Sequence, residues 1–372
     1  MKIRTMMAVL AFIAMLIPLT ATADTPAEQA LPPKAEHPVG YHAARWGLSI
    51  EEARFQLELQ DFAGVVVGEA LSEYGQDVVM EMTQRPAGVI VYTAHDNDRV
   101  RQIVKNVAGV RAGYFRVVPA QATQAELETR AAAAWRAMGA EGIAVASTVF
   151  DIRNGLVSVR TPTPEQAISR ININGVVFEE GQLAELEVEG YGGWYLNSGC
   201  NAGFVANSGA GYITANHCPN WVTTSQHPNG SPTANVTYSH GDLNDDVQYE
   251  TFDTPDNGGR FFWIGWTHQA VYSKTWSHPI SASVCHYGDA TGAQCGTITD
   301  SSVAPSIGLS TYFVEADCSC SNFSSGGDSG GPWYSGSTAY GIHHGSPGYG
   351  TTAWYQKITR AESELSVTLW EY

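Results

Sequence analysis

The sequence predicts two fold classes in one chain: an all-β domain over residues 190–372, preceded by an α+β region over residues 24–189. Three observations carry this. All six cysteines, at 200, 218, 285, 295, 318 and 320, fall in the second half. From residue 190 onward, short runs rich in Thr, Tyr, Val and Trp are cut by Gly, Asn, Ser and Pro about every eight to twelve residues, the texture of a sandwich or barrel. Before it, helical spacing of apolar residues alternates with short strand-like runs.

The first segment, MKIRTMMAVLAFIAMLIPLTATAD, sets Lys2 and Arg4 before an apolar run from Met6 to Leu19, with small residues at Ala21 and Ala23. This is the pattern of a signal peptide over residues 1–23. The run is broken by Pro18 and falls short of the roughly 20 apolar residues a spanning helix needs. A secreted protein is expected, with no membrane partner.

In the 24–189 region, Ser49 followed by Glu52 is a capping box for a helix beginning SIEEARFQLELQDF. GVIVYTA reads as a strand, DNDRVRQIVKNV as a helix and GYFRVVPA as a second strand. ATQAELETRAAAAWRAMG is another helix, and AVASTVFD and GLVSVRT are strands. Its histidines, His37, His42 and His95, are isolated from one another and read as structural.

The formal net charge of −17 argues against nucleic acid and anionic membranes as partners, since both are bound through excess Lys and Arg. After residue 190 the basic residues are Arg260, Lys274, Lys357 and Arg360. An even set of cysteines in an exported chain reads as disulfides. No CxxC or HxxxH spacing points to zinc, so no metal or cofactor is expected.

Three motifs in the second half carry chemistry. In GCNAGFVANSGAGYITANHC, His217 follows an apolar strand and sits between it and Cys218, with Cys200 upstream; a disulfide there would hold the imidazole rigidly, as a general base requires. In GDLNDDVQYE, Asp246 is the acid nearest the strand VQYE and so the best placed to face inward, with Asp245 and Asp242 as alternatives. In SSGGDSGGPW, Ser329 lies among glycines that suit either a surface loop or a tight turn presenting a nucleophile under backbone N–H donors.

Taken in order, ITANHC, DDVQY and GGDSGGPW resemble the chymotrypsin-like serine proteases. The order His, Asp, Ser separates them from the other folds that carry the same triad. The bacterial streptogrisin and α-lytic branch is the most similar: VCHYGDATGAQCGTI resembles its second disulfide loop and WYQKITRAESELSVTL its C-terminal strand and helix. ELETRAAAAWRAMG and VFDIRNGLVSV look like its pro-region.

The resemblance implies two six-stranded antiparallel Greek-key barrels and a monomer acting on protein or peptide substrates. It implies His217, Asp246 and Ser329 as catalytic residues, Gly327 and Ser329 as the oxyanion hole, and the pairs Cys200–Cys218 and Cys285–Cys295. The pro-region would assist folding and inhibit. Asp328 would anchor the turn by pairing with a cation; the branch usually has an Arg where this chain has His286, so His286 is expected as its partner. Cys318 and Cys320 have no cysteine after Ser329 to pair with, and a bond between them or two free thiols both stay open. Glutamyl-specific members carry a His with a Ser three residues on, matched by His343 and Ser346; the alternative is that His343 is a packed strand residue. Cleavage after Glu187 or Glu189 would suit a glutamyl preference, and the acidic balance opposes it at long range. The competing class is a catalytically silent binding protein on the same fold, which the filled triad positions argue against.

Overall fold

The computed structural model describes residues 38–372 except 184–194, 197–198, 220–224, 227–235, 253–259, 265–267, 307 and 348–349. The expected signal peptide, the boundary at 189 and the Glu187 and Glu189 sites lie outside the described residues. Among the described residues, no helix is long and apolar enough to cross a membrane.

The N-terminal region builds two small α+β units. In the first, strands Val78–Gln84, Ala87–Thr93 and Phe115–Pro119 form a three-stranded sheet. Helices Ile50–Asp61 and Asn97–Ala108 accompany it. The Ser49/Glu52 capping box is present, and Asp96 caps the second helix through the N–H groups of Asp98 and Arg99. Strand Val78–Gln84 and helix Pro38–Trp46 are additions to the sequence reading. In the second unit, helix Gln124–Glu141 starts at a second capping box, Thr123 with Glu126. Its residues Leu127, Ala131, Ala134 and Met138, spaced three and four apart, bury one face against Phe150, Val157 and Val159.

The C-terminal region is mostly β. Strands Ser283–Gly288, Pro332–Ser335, Thr338–Gly345, Thr352–Lys357, Phe313–Asp317 and Gly292–Ala304 pair in that order. Pairing of the first with the last, from Ser283↔Thr297 to Gly288↔Gly292, closes a six-stranded barrel. Preceding it, the described strands form a four-stranded sheet, in which Gly211–Ala215 pairs with Val247–Phe252, together with smaller two- and three-stranded sheets. The expected six-stranded closure is thus seen for one barrel. Helix Ile358–Leu365 ends sooner than ITRAESELSVTLW suggests, because Ser366 turns left-handed at φ +53°.

The two regions share one sheet. Strand Ser147–Asp151 adds antiparallel to the end of Gly292–Ala304 through Val303↔Val149 and Ala304↔Thr148. Leu156–Thr161 and Val176–Glu180 extend it further. Across the same junction, Arg160 forms a two-pronged pair with Glu315, which is almost fully buried and also accepts from the Trp354 indole N–H. Gln60 accepts the Ser283 backbone N–H and donates to its carbonyl, standing in for a missing strand neighbour.

Candidate active site

His217, Asp246 and Ser329 arrive from three separate loops and meet. The His217 Nδ1 is 2.7 Å from Asp246 Oδ2, and its Nε2 is 2.7 Å from Ser329 Oγ. His217 follows strand Gly211–Ala215, and the disulfide Cys200–Cys218 fixes the next residue. Asp246 sits in the left-handed region at φ +48°, which Asp tolerates better than most residues. This turn brings its Oδ1 to the backbone N–H of His217 at 2.9 Å.

The two alternative acids are engaged elsewhere. Asp245 is held by Arg360 at 2.9 Å and by the Gln356 amide at 2.6 Å. Asp242 accepts the N–H groups of Asn244 and Asp245, as an Asx turn does. Burial alone would raise the Asp246 pKa. His217 and then His344 outweigh it by charge and hydrogen bonding, and hold the carboxyl well below the usual carboxylate range.

The turn around Ser329 is fixed by its glycines and its acid. Gly327 adopts φ +106° and Gly330 φ +80°, and a Cβ on Gly330 would overlap Thr214 Oγ1 and the Asn201 carbonyl. The Asn201 backbone N–H donates to the Ser329 carbonyl at 2.7 Å, and its side-chain amide donates to the Gly327 carbonyl.

Asp328 is fully buried, but the expected pairing with His286 does not occur. Its carboxylate instead accepts the backbone N–H groups of Ala290, Thr291 and Ser325, and the Thr291 hydroxyl at 2.7 Å. Among the described residues, a cradle of N–H donors and a hydroxyl answers this buried carboxylate. The loop that carries them comes close because residue 288 is Gly: a Cβ there would overlap the Asp328 side chain.

His286 has a different place. Its Nε2 donates to the Phe323 carbonyl at 2.7 Å, and its Nδ1 is buried without a partner. The ring stacks on Trp333 at 4.8 Å and on His343 at 5.2 Å. Burial first, then neighbouring His343, push its pKa down to about 3, so His286 is neutral across the physiological range and sets no alkaline limit on the turn.

His343, a member of this stack, and Ser346, three residues on, are both buried. The Trp333 indole N–H donates to His343 Nδ1 at 3.0 Å. Since Nδ1 accepts, the imidazole proton sits on Nε2, and this edge of the ring is a donor. Disulfides close Cys285–Cys295 and Cys318–Cys320, the second taking the bonded alternative. The sequence reading missed His344, whose Nδ1 lies 2.5 Å from Asp246 Oδ2. The doubled histidine at 343–344 was the available signal.

The chain is 31% identical over 189 residues to glutamyl endopeptidase 2 of Streptomyces griseus, a match covering 48% of this chain and 96% of that protein. To streptogrisin-C of the same organism it is 28% identical over 211 residues, covering 51% of this chain and 42% of that longer relative. Among solved structures, chymotrypsin of Cellulomonas bogoriensis matches at 23% identity and a TM-score of 0.39, over 50% of this chain and 99% of that one. No protein-family profile matches.

Proposed function

The chain belongs to the bacterial chymotrypsin-like serine proteases, and from that premise we propose that it is a secreted endopeptidase using His217, Asp246 and Ser329 through an acyl-enzyme. The observation that carries this reading is the unbroken hydrogen-bonded line from Ser329 Oγ through His217 to Asp246. His217 takes the Ser329 proton as Oγ attacks the peptide carbonyl, then returns it to the leaving amine. Asp246 fixes the tautomer with the proton on Nδ1 and supports the imidazolium that forms. The backbone N–H groups of Gly327 and Ser329 meet the charge on the tetrahedral oxygen; loss of one such donor costs about 3–4 kcal/mol of barrier. Labelling by a fluorophosphonate tests the reading: the processed enzyme is expected to label and Ser329→Ala is not. Absence of labelling in the parent would favour a silent binding protein.

We further propose a preference for Glu before the scissile bond. The Nε2–H of His343 and the Ser346 hydroxyl supply donors suited to a carboxylate, and a relative carries the name glutamyl endopeptidase. A neutral imidazole donor would recognise the acid by hydrogen bonding rather than by opposite charge. In a peptide panel differing before the scissile bond, His343→Leu is expected to erase the Glu preference, lowering kcat/KM for Glu by about 100-fold or more. A parent that prefers Phe or Leu would sink this part.

Residues 24–189 are proposed as a pro-region that assists folding and blocks the enzyme until cleaved. The shared sheet and the Arg160–Glu315 pair support this reading.

A further inference from the structure

The sequence sets His343 and His344 side by side on one strand, where simple alternation would send them to opposite faces. Opposite them, Tyr355 pairs with His343 and Trp354 pairs with Gly345, so His344 is the extra residue of a bulge. A bulge re-aims a side chain, and here the re-aimed ring goes to the buried carboxylate of Asp246. We propose that His344 is a positioning residue for the proton relay, resting on the reading of His217, Asp246 and Ser329 as its working parts.

The geometry is specific. Asp246 Oδ2 lies 2.5 Å from His344 Nδ1 and 2.7 Å from His217 Nδ1. An ionised carboxylate only accepts, so both imidazoles carry their protons on Nδ1. Oδ1 takes the His217 backbone N–H, and the carboxylate is thereby pinned at both oxygens. His344 is 6% exposed and is itself held by edge contacts with Phe313 at 5.0 Å and His217 at 5.8 Å, with Trp354 beyond. The titratable groups it meets are Asp246 and His217; Phe313 and Trp354 do not ionise.

By donor type the three residues could hold a metal. Tetrahedral zinc at ~2.1 Å from each donor would need them ~3.4 Å apart, whereas both nitrogens already sit at hydrogen-bond distance from one oxygen. The arrangement is a relay in which one acid serves two imidazoles. His344 stops the carboxylate from rotating away from His217 and keeps it ionised in a buried place.

The test uses the full chain. In an inert Ser329→Ala background, proton NMR is expected to show two strongly deshielded imidazole Nδ1–H signals. His344→Asn, which keeps an N–H near the Nδ1 position, removes one and leaves the other in place; His344→Leu removes one and shifts the other. In the active chain, His344→Leu is expected to lower kcat about 10- to 100-fold with KM within about twofold, and His344→Asn to restore most of it. A single deshielded signal in the parent, full activity in His344→Leu, or His344→Asn no better than His344→Leu would overturn the proposal. Failure of fluorophosphonate labelling would instead strike the reading of Ser329, because the NMR readout does not depend on turnover.

Discussion

Asp246→Asn is expected to lower kcat about ten-thousandfold, with KM changed only a few-fold. The loss follows from donors and acceptors. Oδ2 now accepts two Nδ1–H groups, and an amide NH2 at that place would confront both protons. Flipping the amide moves the clash to the His217 backbone N–H, which Oδ1 now accepts. Either way His217 is driven toward the tautomer with its proton on Nε2, where it faces Ser329 as a donor and cannot act as base. Asp245→Asn is the control. Asp245 is 1% exposed and paired with Arg360, so its loss should lower thermal stability and spare the kcat of the folded fraction. A kcat loss in Asp246→Asn smaller than tenfold, or a larger one in Asp245→Asn, would assign the acid differently.

The second large effect is expected at the junction of the two regions. Glu315 has 3% of its side chain exposed and is compensated by Arg160, with the Trp354 indole and the Thr299 hydroxyl completing its shell. Arg160→Leu leaves that carboxylate buried and uncompensated, a cost of about 3–5 kcal/mol. Urea unfolding of the full-length Ser329→Ala chain should report it. The double variant Arg160→Leu/Glu315→Leu should be more stable than Arg160→Leu alone, because the stranded charge has gone. A double variant no better than the single one would remove the pair from the account.

A pH dependence accompanies it. Asp300 lies opposite Glu315 in the strand register. Burial, then the charge of Glu315, push its pKa up to about 8 against Arg160 and Arg153. A carboxyl raised in this way is protonated while the regions are packed together and ionises once exposed, so packing takes up a proton. The hold of the N-terminal region is therefore expected to weaken as pH climbs from about 4 towards 8. Asp300→Asn should flatten that slope; an unchanged slope would assign it to another group.

Much of this was legible from local sequence. Capping boxes are contained in four residues, and the Ser49 box was readable on that account. His217, Asp246 and Ser329 were legible because each sits in a short motif whose neighbours (a strand before His217, a strand after Asp246, glycines around Ser329) dictate the local backbone. The partner of Asp328 was not, since backbone N–H groups carry no sequence signature and the place of His286, where the resembling branch has an Arg, drew the assignment. His344 was missed for a related reason: a bulge overrides strand alternation, and it is set by a facing strand ten residues away. The Arg160–Glu315 pair joins residues 155 apart, beyond the reach of any local pattern.

The seam between the two regions has a last consequence, for the solubility of the parted pieces. Only Val303 and Ala304 of the long barrel strand pair with Val149 and Thr148. Separation thus bares about two residues of open backbone on that strand, besides the Ile280 backbone that pairs with Met80 and Met82. Sheet edges recruit other chains when they are long, flat and apolar; this one is too brief to template a foreign strand. The larger exposed area is apolar: Leu59, Ala63, Val67, Met80 and Met82 share one buried cluster with Ala282, Val284, Ile298 and Tyr340 across the seam, so side chains rather than the sheet edge would govern how parted pieces behave in solution.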